Sequence, residues 1–462
     1  MERKNAWEKY REDADKKKVF DFAEGYRQFI SNNKTERECT TFFVERLDAA
    51  GYVNLDDVIA NNKSLKAGDK VYAVNKKKTI ACFVIGKQPI SAGMQILGAH
   101  IDSPRMDLKQ NPLYEDTDMA MLDTHYYGGV KKYQWVTLPL ALHGVVAKKD
   151  QTIVNVCIGE EEDDPVFGVS DLLIHLSDEQ LKKTANKVVE GEDLNLLVGS
   201  IPGVAEDEKE LVKKNILNIL LKQYDIEEED FLSAEIEVVP AGAARDYGFD
   251  RSMIMGYGHD DRVCAYPSFM AMLEMDAPEY TSVCLLVDKE EIGSVGATGM
   301  QSRFFENTVA ELLALTGEEG NIYLHRALKN SKALSSDVSA AFDPNYPSVM
   351  EKNNTAYFGR GMVFNKYTGA RGKSGSNDAN AEYVGELRRI MDDANVYFQT
   401  SELGKVDAGG GGTIAYILGN LDMDVIDSGV AVLNMHAPWE IISKVDLYEA
   451  FLAYVAFLKF AR

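Results

Sequence analysis

Four apolar, strand-like segments of this 462-residue sequence end in side chains that commonly bind metal ions. Ligand sites of open α/β sheets lie beyond the carboxyl ends of the strands, so such side chains can converge there. A fifth segment, GYGHDDRV, adds two adjacent aspartates. The candidates from these segments are His100 and Asp102, Asp260 and Asp261, Glu290 and Glu291, Asp337, and His436.

This donor set contains imidazoles and a surplus of carboxylates but no thiolate, which favours a catalytic site for zinc or another borderline divalent ion. The surplus of carboxylates also suits two ions that share one bridging ligand. Two ions roughly 3.5–4 Å apart can hold a hydroxide and polarise a carbonyl group. The sequence therefore predicts two divalent ions per subunit, with zinc favoured and cobalt or manganese as alternatives.

Each candidate also has an ordinary structural interpretation. His100 could be a hydrogen-bonded core histidine, although Asp102 is well spaced to hold its far ring nitrogen. Either aspartate of HDDR could cap the following helix. The run VDAGGGGTIAYI could be a flexible turn or a backbone segment that a ligand approaches closely. The occurrence of all these segments in one chain favours the metal site.

The elements that position these residues alternate between helix and strand at both ends of the chain. TTFFVERLDAAGY has a helical pattern with a stop at Gly51, and RVCAYPSFMAMLEM also has a helical pattern. KVYAVN, TIACFVIG, MQILGAH, TSVCLLV and AVLNMH are short apolar runs typical of buried strands. We expect an α/β fold, with a three-layer αβα catalytic domain built on a mixed, mostly parallel sheet. Residues 1–104 and 245–462 would form this discontinuous domain.

The middle section, residues 105–244, differs in composition and in its predicted secondary structure. Strand-like WVTLPLALHGVVA, QTIVNVCIG and EIEVVPAG alternate with the acidic stretches EEEDDP, EDEKE and IEEED, and KELVKKNILNILLKQY has a helical pattern. Acidic runs of this kind are usually solvated loops or helix faces. The section is predicted to be a separate, β-rich inserted domain.

Charge and targeting signals exclude several classes of protein. With 50 Lys+Arg against 73 Asp+Glu, the net charge of −23 argues against nucleic acid or an anionic membrane as a partner. Five widely spaced cysteines predict buried thiols in a reducing compartment. A secretory signal is not expected, and no apolar run reaches the roughly 18–20 residues of a membrane span. A cytoplasmic protein is expected.

Five motifs in order, over nearly the whole chain, resemble the aspartyl aminopeptidase / vacuolar aminopeptidase I family of cocatalytic zinc aminopeptidases. They are GAHIDSPRMDLK, GYGHDDRVCAYPSF, LLVDKEEIGSVGATG, SSDVSAAFDPNYP and LNMHAPWEI. The resemblance implies peptide substrates, a dimerisation role for the inserted domain, and a hollow tetrahedral homododecamer built from dimers.

Matched position by position, the resemblance also implies roles for individual residues. The implied metal ligands are His100, the bridging Asp260, Glu291, Asp337 and His436. The implied catalytic residues are Glu290 as general base and Asp102 as the activating partner of His100. The nucleophile would be a metal-bridged hydroxide whose proton Glu290 takes and passes to the leaving amine.

The family resemblance and the individual residues lead to different expectations for the N-terminal residue that the enzyme prefers. Lys366 and Arg371 lie where the family has part of its substrate loop, and His175 is retained in the middle section. Asp171, however, stands where family members often have a histidine, and Ala340 and Asp343 replace other common histidines. We therefore predict a broad or neutral/apolar preference for the N-terminal residue rather than strict selectivity for Asp or Glu.

Two rival functions remain open from the sequence. A deacylase or carboxypeptidase on the same dinuclear scaffold would need a cation for the substrate carboxylate, for which Arg262, Lys366 and Arg371 are candidates. A noncatalytic, metal-stabilised assembly protein is the other rival. The retention of Glu290 argues against it, because a structural metal site has no use for a free acid beside the ligands.

Overall fold

The computed structural model describes residues 4–204 and 209–462, so that most of the acidic stretch EDEKE lies outside the described residues. The chain forms two compact units. The first unit comprises Met1–Asp102, Ala244–Met435 and Glu440–Arg462, and the second comprises Ser103–Ala243 and His436–Trp439.

The α-helices of the described residues are α1 Asp13–Asn32, α2 Glu36–Ala49, α3 Leu55–Ala60, α4 Leu211–Tyr224, α5 His259–Leu273, α6 Phe304–Leu315, α7 Asn321–Lys329, α8 Ala381–Asp393, α9 Ala415–Gly419 and α10 Lys444–Phe460. The strands are β1 Val53–Asn54, β2 Lys70–Asn75, β3 Thr79–Val84, β4 Met94–His100, β5 Arg105–Asp116, β6 Met119–Tyr127, β7 Leu140–Ala147, β8 Ile153–Ile158, β9 Leu196–Gly199, β10 Ala234–Pro240, β11 Arg245–Tyr247, β12 Met253–Gly256, β13 Thr281–Val287, β14 Lys332–Ser336, β15 Ser339–Ala340, β16 Met362–Asn365, β17 Phe398–Thr400, β18 Asp424–Gly429, β19 Ala431–Leu433 and β20 Glu440–Ser443.

Local signals explain where some of these elements begin and end. The N-terminus of α2 is closed by a capping box, in which the Thr35 hydroxyl accepts the Glu38 N–H and the Glu38 carboxylate accepts the Thr35 N–H. Gly51 follows the helix with a φ of +80°, a conformation that glycine adopts without a steric penalty. The predicted helix with a stop at this glycine is therefore confirmed.

The first unit is built on a nine-stranded sheet with the order β1-β2-β3-β13-β4-β14-β18-β16-β17. Five of its eight strand pairings are parallel and three are antiparallel. Successive side chains of a strand point to opposite faces. Leu97 and Ala99 of β4 thus join one core with α1, α2, α5, α8 and α10, and Met94 and Ile96 join a second core with α3, α6, α7 and α9. The predicted three-layer αβα fold is confirmed.

Two further sheets complete the described architecture. A five-stranded sheet of the first unit, in the order β11-β12-β20-β19-β15, was not anticipated from the sequence. The second unit contains a six-stranded antiparallel sheet in the order β8-β7-β10-β5-β6-β9, with α4 packed on β5, β6 and β9. The dimerisation role assigned to residues 105–244 stays a prediction.

The five cysteines are all free thiols, and Cys39, Cys82, Cys264 and Cys284 are buried. Cys157 is exposed, so the expectation that all five are buried was wrong for this residue. The reason is its position on β8, an edge strand whose side chains alternate between exposed and buried. Across the described ranges, no helix has the combined length and apolarity to cross a membrane.

Candidate metal site

The candidate metal site lies at the carboxyl ends of three adjacent parallel strands, β13, β4 and β14. His100 is the last residue of β4 and pairs in register with Val287, the last residue of β13. Glu290 and Glu291 lie in the short 3₁₀ turn that follows β13, and Asp337 directly follows β14. The topology therefore delivers four predicted residues to one edge of the sheet, as expected for a ligand site in an α/β fold.

A fourth element, the start of α5, adds the two aspartates of the HDDR motif. Potential ligand atoms of these six residues lie within 4.8 Å of one another in three overlapping groups. The groups are His100, Asp260 and Glu291; His100, Glu290 and Asp337; and Asp260, Asp261 and Asp337.

His100 occupies the centre of this arrangement and is only 2% exposed. Its Nε2 atom lies 3.3 Å from Asp260 Oδ1 and 3.9 Å from Glu290 Oε2. Its Nδ1 atom faces away from these groups, 3.3 Å from Asp102 Oδ1 and 3.0 Å from the Asp102 backbone oxygen. A carboxylate on the far ring nitrogen fixes the tautomer and orientation of a metal-binding imidazole.

Asp102 also connects His100 to the turn that carries the two glutamates. Its carboxylate oxygens accept the backbone N–H groups of Glu290 and Glu291, both at 3.2 Å. Because Asp102 is fully buried, these bonds are shielded from competition by water. One carboxylate thereby orients an imidazole and positions the two glutamate side chains.

Asp261, one of the candidates from the GYGHDDRV segment, lies in the site, and Glu440, which was not anticipated from the sequence, lies there too. The Asp261 carboxylate accepts the His100 backbone N–H at 3.3 Å, and the buried Glu440 carboxylate accepts the Asp260 N–H at 3.0 Å. A cis peptide bond joins Asp260 to Asp261. The signal for Glu440 was a lone acid at the start of the apolar run EIIS, which forms the buried strand β20.

Burial and mutual repulsion dominate the electrostatics of the site. Burial raises the pKa of Asp337, and the charges of Asp261 and Asp260 raise it further. Burial likewise raises the pKa of the Asp261 carboxyl group. For His100, burial lowers the pKa, but hydrogen bonds to Asp102 and Asp260 outweigh it and hold the pKa well above its ordinary value.

These residues fit a divalent cation. Two unit charges of like sign 4.8 Å apart repel by roughly 3 kcal/mol at an effective dielectric constant of about 20. Three aspartates grouped at such a separation therefore oppose folding unless they are protonated or share a cation. Imidazole nitrogen and carboxylate oxygen without thiolate form the donor set of catalytic zinc sites.

The structure does not bring the remaining predicted residues into these groups. His436 falls within the second unit, where its Nδ1 atom lies 2.9 Å from the Gly129 backbone oxygen. His175 is an exposed residue of the same unit. Lys366 and Arg371 are exposed in the first unit, and Lys366 Nζ lies 3.3 Å from Asp378 Oδ1. Their roles stay predictions.

Comparison with known proteins shows the family to which the chain belongs. Residues 29–458 match the family model described as aminopeptidase I zinc metalloprotease (M18). The chain belongs to the M18 family. It is a metallo-aminopeptidase of this zinc metalloprotease family, and the rival interpretation as a noncatalytic assembly protein is therefore wrong.

Individual relatives and solved structures resemble the chain over at least 95% of its length. A curated M18 family aminopeptidase 1 of Clostridium acetobutylicum is 65% identical over 457 residues, which cover 99% of this chain and 98% of the relative. The crystal structure of the M18 aminopeptidase of Thermotoga maritima superimposes with a TM-score of 0.94 at 43% identity, covering 100% of both chains. The S. cerevisiae mApe1 dodecamer matches at 19% identity with a TM-score of 0.76, covering 95% of this chain and 96% of that one, and shows the shared fold.

Proposed function

We propose that this M18 enzyme binds two zinc ions per subunit and removes single residues from the N-termini of peptides. The observation that carries the proposal is the convergence of imidazole and carboxylate atoms within 4.8 Å beyond three parallel strands. His100, Asp260 and Asp337 each occur in two of the three groups, and the GYGHDDRV motif supports Asp260 as the bridging carboxylate among them. The proposed ligands are His100, Asp260, Glu291, Asp337 and His436, the last on the strength of its LNMHAPWEI motif.

When bound, two such ions would activate a water and polarise the scissile carbonyl group. Glu290 takes a proton from the attacking water and gives it to the leaving amine, which requires a carboxylate that is not occupied as a ligand. The hydrogen bond from its backbone N–H to Asp102 holds Glu290 in place for both transfers. The acidic surroundings attract the free α-amino group of the substrate, which accounts for exopeptidase action.

A deacylase or carboxypeptidase would instead need a cation that receives the substrate carboxylate. Arg262 is poorly suited, because it is fully buried and donates to the backbone oxygens of Ile101 and Lys34. The deciding experiment compares fluorogenic aminoacyl substrates with N-acyl amino acids and C-terminal amino acid substrates, with zinc, cobalt or manganese added to metal-free enzyme. We expect turnover only of substrates with a free α-amino group. Turnover of blocked substrates alone would contradict the proposal.

We also propose a broad or neutral/apolar preference for the N-terminal residue. Strict selection of Asp or Glu requires a fixed cation, because a desolvated carboxylate without a partner is heavily penalised. The Asp378 carboxylate lies 3.3 Å from Lys366 Nζ and 3.0 Å from Lys373 Nζ, so the two lysines share one negative charge and neither is a free cation for a substrate carboxylate. The net charge of −23 additionally repels anionic peptides at long range.

We expect kcat/KM for leucyl and lysyl substrates to be within about 100-fold of the values for aspartyl and glutamyl substrates under one metal condition. A factor of about 100 corresponds to roughly 2.7 kcal/mol of differential transition-state binding. Lys366→Ala should change the ratio between acidic and neutral substrates less than about threefold. An advantage of more than about 100-fold for the acidic pair would contradict the prediction and require a cationic pocket.

We further propose that the enzyme assembles into a homododecamer of dimers through the second unit. Supporting this, a run of apolar side chains is exposed there, and large exposed apolar patches mark protein–protein interfaces. These side chains, with their exposed fractions, are Leu172 (46%), Leu173 (54%), Ile174 (66%), Leu176 (67%) and Leu181 (63%). The S. cerevisiae relative is a dodecamer.

Light scattering should report a large oligomer whose mass is unchanged between about 0.1 M and about 0.5 M salt, because screening weakens exposed charge pairs more than buried apolar contacts. The double substitution Ile174→Glu with Leu176→Glu should yield smaller species. Ile322→Glu, at an isoleucine of the first unit that is 55% exposed, is the matched control and should retain the large oligomer. A wild-type monomer at working concentration would overturn the proposal.

For the cellular location we propose the cytoplasm, which is supported by the free state of all five cysteines. Four of these thiols are buried in the fold, where they act as small apolar side chains. Cell fractionation followed by immunodetection tests this, and recovery of the enzyme outside the cytoplasmic fraction would contradict it.

A further inference from the structure

Asp427 on β18 is a buried carboxylate that belongs to none of the metal-binding groups. It lies between Ser335 of β14 and Asn365 of β16 in the sheet and is only 1% exposed. Its Oδ1 atom accepts the Thr413 hydroxyl at 2.6 Å and the Ser335 hydroxyl at 3.4 Å. Burial raises its pKa to about 7, and these two hydrogen bonds oppose the shift. Burying a carboxylate costs free energy unless hydrogen bonds compensate for it, so the groups that bind the Asp427 carboxylate indicate which part of the structure it holds in place.

The main partner, Thr413, directly follows the glycine run Gly409–Gly412. The Thr413 hydroxyl also accepts the Ala415 N–H at 3.3 Å, where α9 begins. Gly410 has a φ of +141°, and a Cβ atom at this position would lie 2.5 Å from the Gly369 backbone oxygen. The run is therefore held at one end by Thr413 and packed closely against the 369–370 backbone.

The other side of the glycine run is open. A Cβ atom at Gly412 would meet nothing within 4 Å, and its φ lies outside the left-handed region, so no neighbour in the described chain requires glycine there. Within the described residues, the backbone N–H groups of residues 410–413 donate no hydrogen bond. The Gly411 oxygen accepts the Gly369 N–H at 2.7 Å, which joins the run to the loop that carries Lys366 and Arg371.

Strand β18, which carries Asp427, also accepts a hydrogen bond from Asp337, a candidate metal ligand. The Asp337 N–H donates to the Ser428 backbone oxygen at 3.1 Å, and Ser335 lies two residues before Asp337 on the same chain segment. The Asp427 carboxylate thus contacts both the end of the glycine run and the strand that delivers Asp337. A shift of the glycine run would therefore change the position of the run relative to Asp337 and the candidate metal site.

We propose that Asp427 and Thr413 are positioning residues that set the affinity for the peptide substrate. Their hydrogen bond fixes the glycine run beside the strand of Asp337, so that the open backbone N–H groups of the run bind carbonyl oxygens of the peptide backbone. This proposal rests on the proposed aminopeptidase function and concerns how its substrate is held. Backbone donors suit a broad preference, because they contact a part of the substrate common to all peptides.

The test compares Thr413→Val, which keeps the side-chain shape without the hydroxyl, with Thr413→Ser, which keeps the hydroxyl. With leucyl peptides of two to four residues, Thr413→Val should raise KM about tenfold and change kcat less than about threefold, with metal content unchanged. Thr413→Ser should restore a KM within about twofold of the wild type. Asp427→Asn, which retains the Oδ1 acceptor, should resemble the wild type, whereas Asp427→Ala should resemble Thr413→Val.

Gly412→Ala provides a second variant that the fold accommodates, and a side chain on the open face should also raise KM about tenfold. An unchanged KM in both Thr413→Val and Gly412→Ala would overturn the proposal, as would loss of metal together with kcat in Thr413→Val. In the same assay, a wild-type enzyme unable to cleave any leucyl peptide would instead overturn the proposed function. Failure of the positioning proposal and failure of the proposed function therefore give different results.

Discussion

Glu290→Gln is expected to lower turnover by roughly 10²–10⁴-fold, the range typical of a lost general acid or base. The amide has nearly the same shape as the carboxylate but cannot accept the proton of the attacking water. Because Glu291 is the proposed ligand of this pair, metal content and assembly should remain close to those of the wild type. Elemental analysis and steady-state kinetics on the same preparation would measure both quantities.

Glu311→Gln is the matched control for this substitution, because Glu311 is an exposed residue of α6 outside the site. It should leave kcat and KM unchanged. If Glu290→Gln loses an ion while its turnover barely changes, the roles of Glu290 and Glu291 have been assigned the wrong way round. Glu291→Gln should then show the loss of turnover with both ions retained.

Removal of metal is expected to abolish at least about 99% of the activity, since water activation and carbonyl polarisation would both be lost. Dialysis against a chelator followed by zinc add-back should reverse the effect. The melting temperature should fall by several degrees at the same time, because a ligand present at about 1,000 times its Kd stabilises the folded state by roughly 4 kcal/mol. Differential scanning calorimetry with and without zinc measures this difference.

Asp260→Asn separates metal binding from a general effect of the chelator. Asp260 occurs in two of the ligand groups, so its loss should lower metal content and abolish most of the stabilisation by zinc. Removing one charge from the Asp260, Asp261 and Asp337 group should also make the metal-free variant more stable than the metal-free wild type. Full activity of wild-type enzyme shown by elemental analysis to be metal-free would contradict the assignment of a metal site.

Strand β4 is an element that the local sequence alone predicts. Its short apolar run and terminal His100 are local features, since they are visible in seven consecutive residues, all of which are buried. The same reasoning anticipated the αβα layers, the α2 helix with its stop at Gly51, and the strands before Glu290 and Asp337. These elements depend on side chains that are neighbours along the chain.

Other features depend on residues that are distant in sequence and become neighbours only when strands pair. The order β13-β4-β14 brings together segments that begin at residues 281, 94 and 332, and no periodicity encodes that adjacency. The role of Glu440 as acceptor for the Asp260 N–H and the position of Asp427 beneath the glycine run arise in the same way. The sequence by itself determined which residue types stand at the strand ends and hence the kind of chemistry. Only the tertiary structure decided which of them meet, because strand order is set by long-range packing rather than by local pattern.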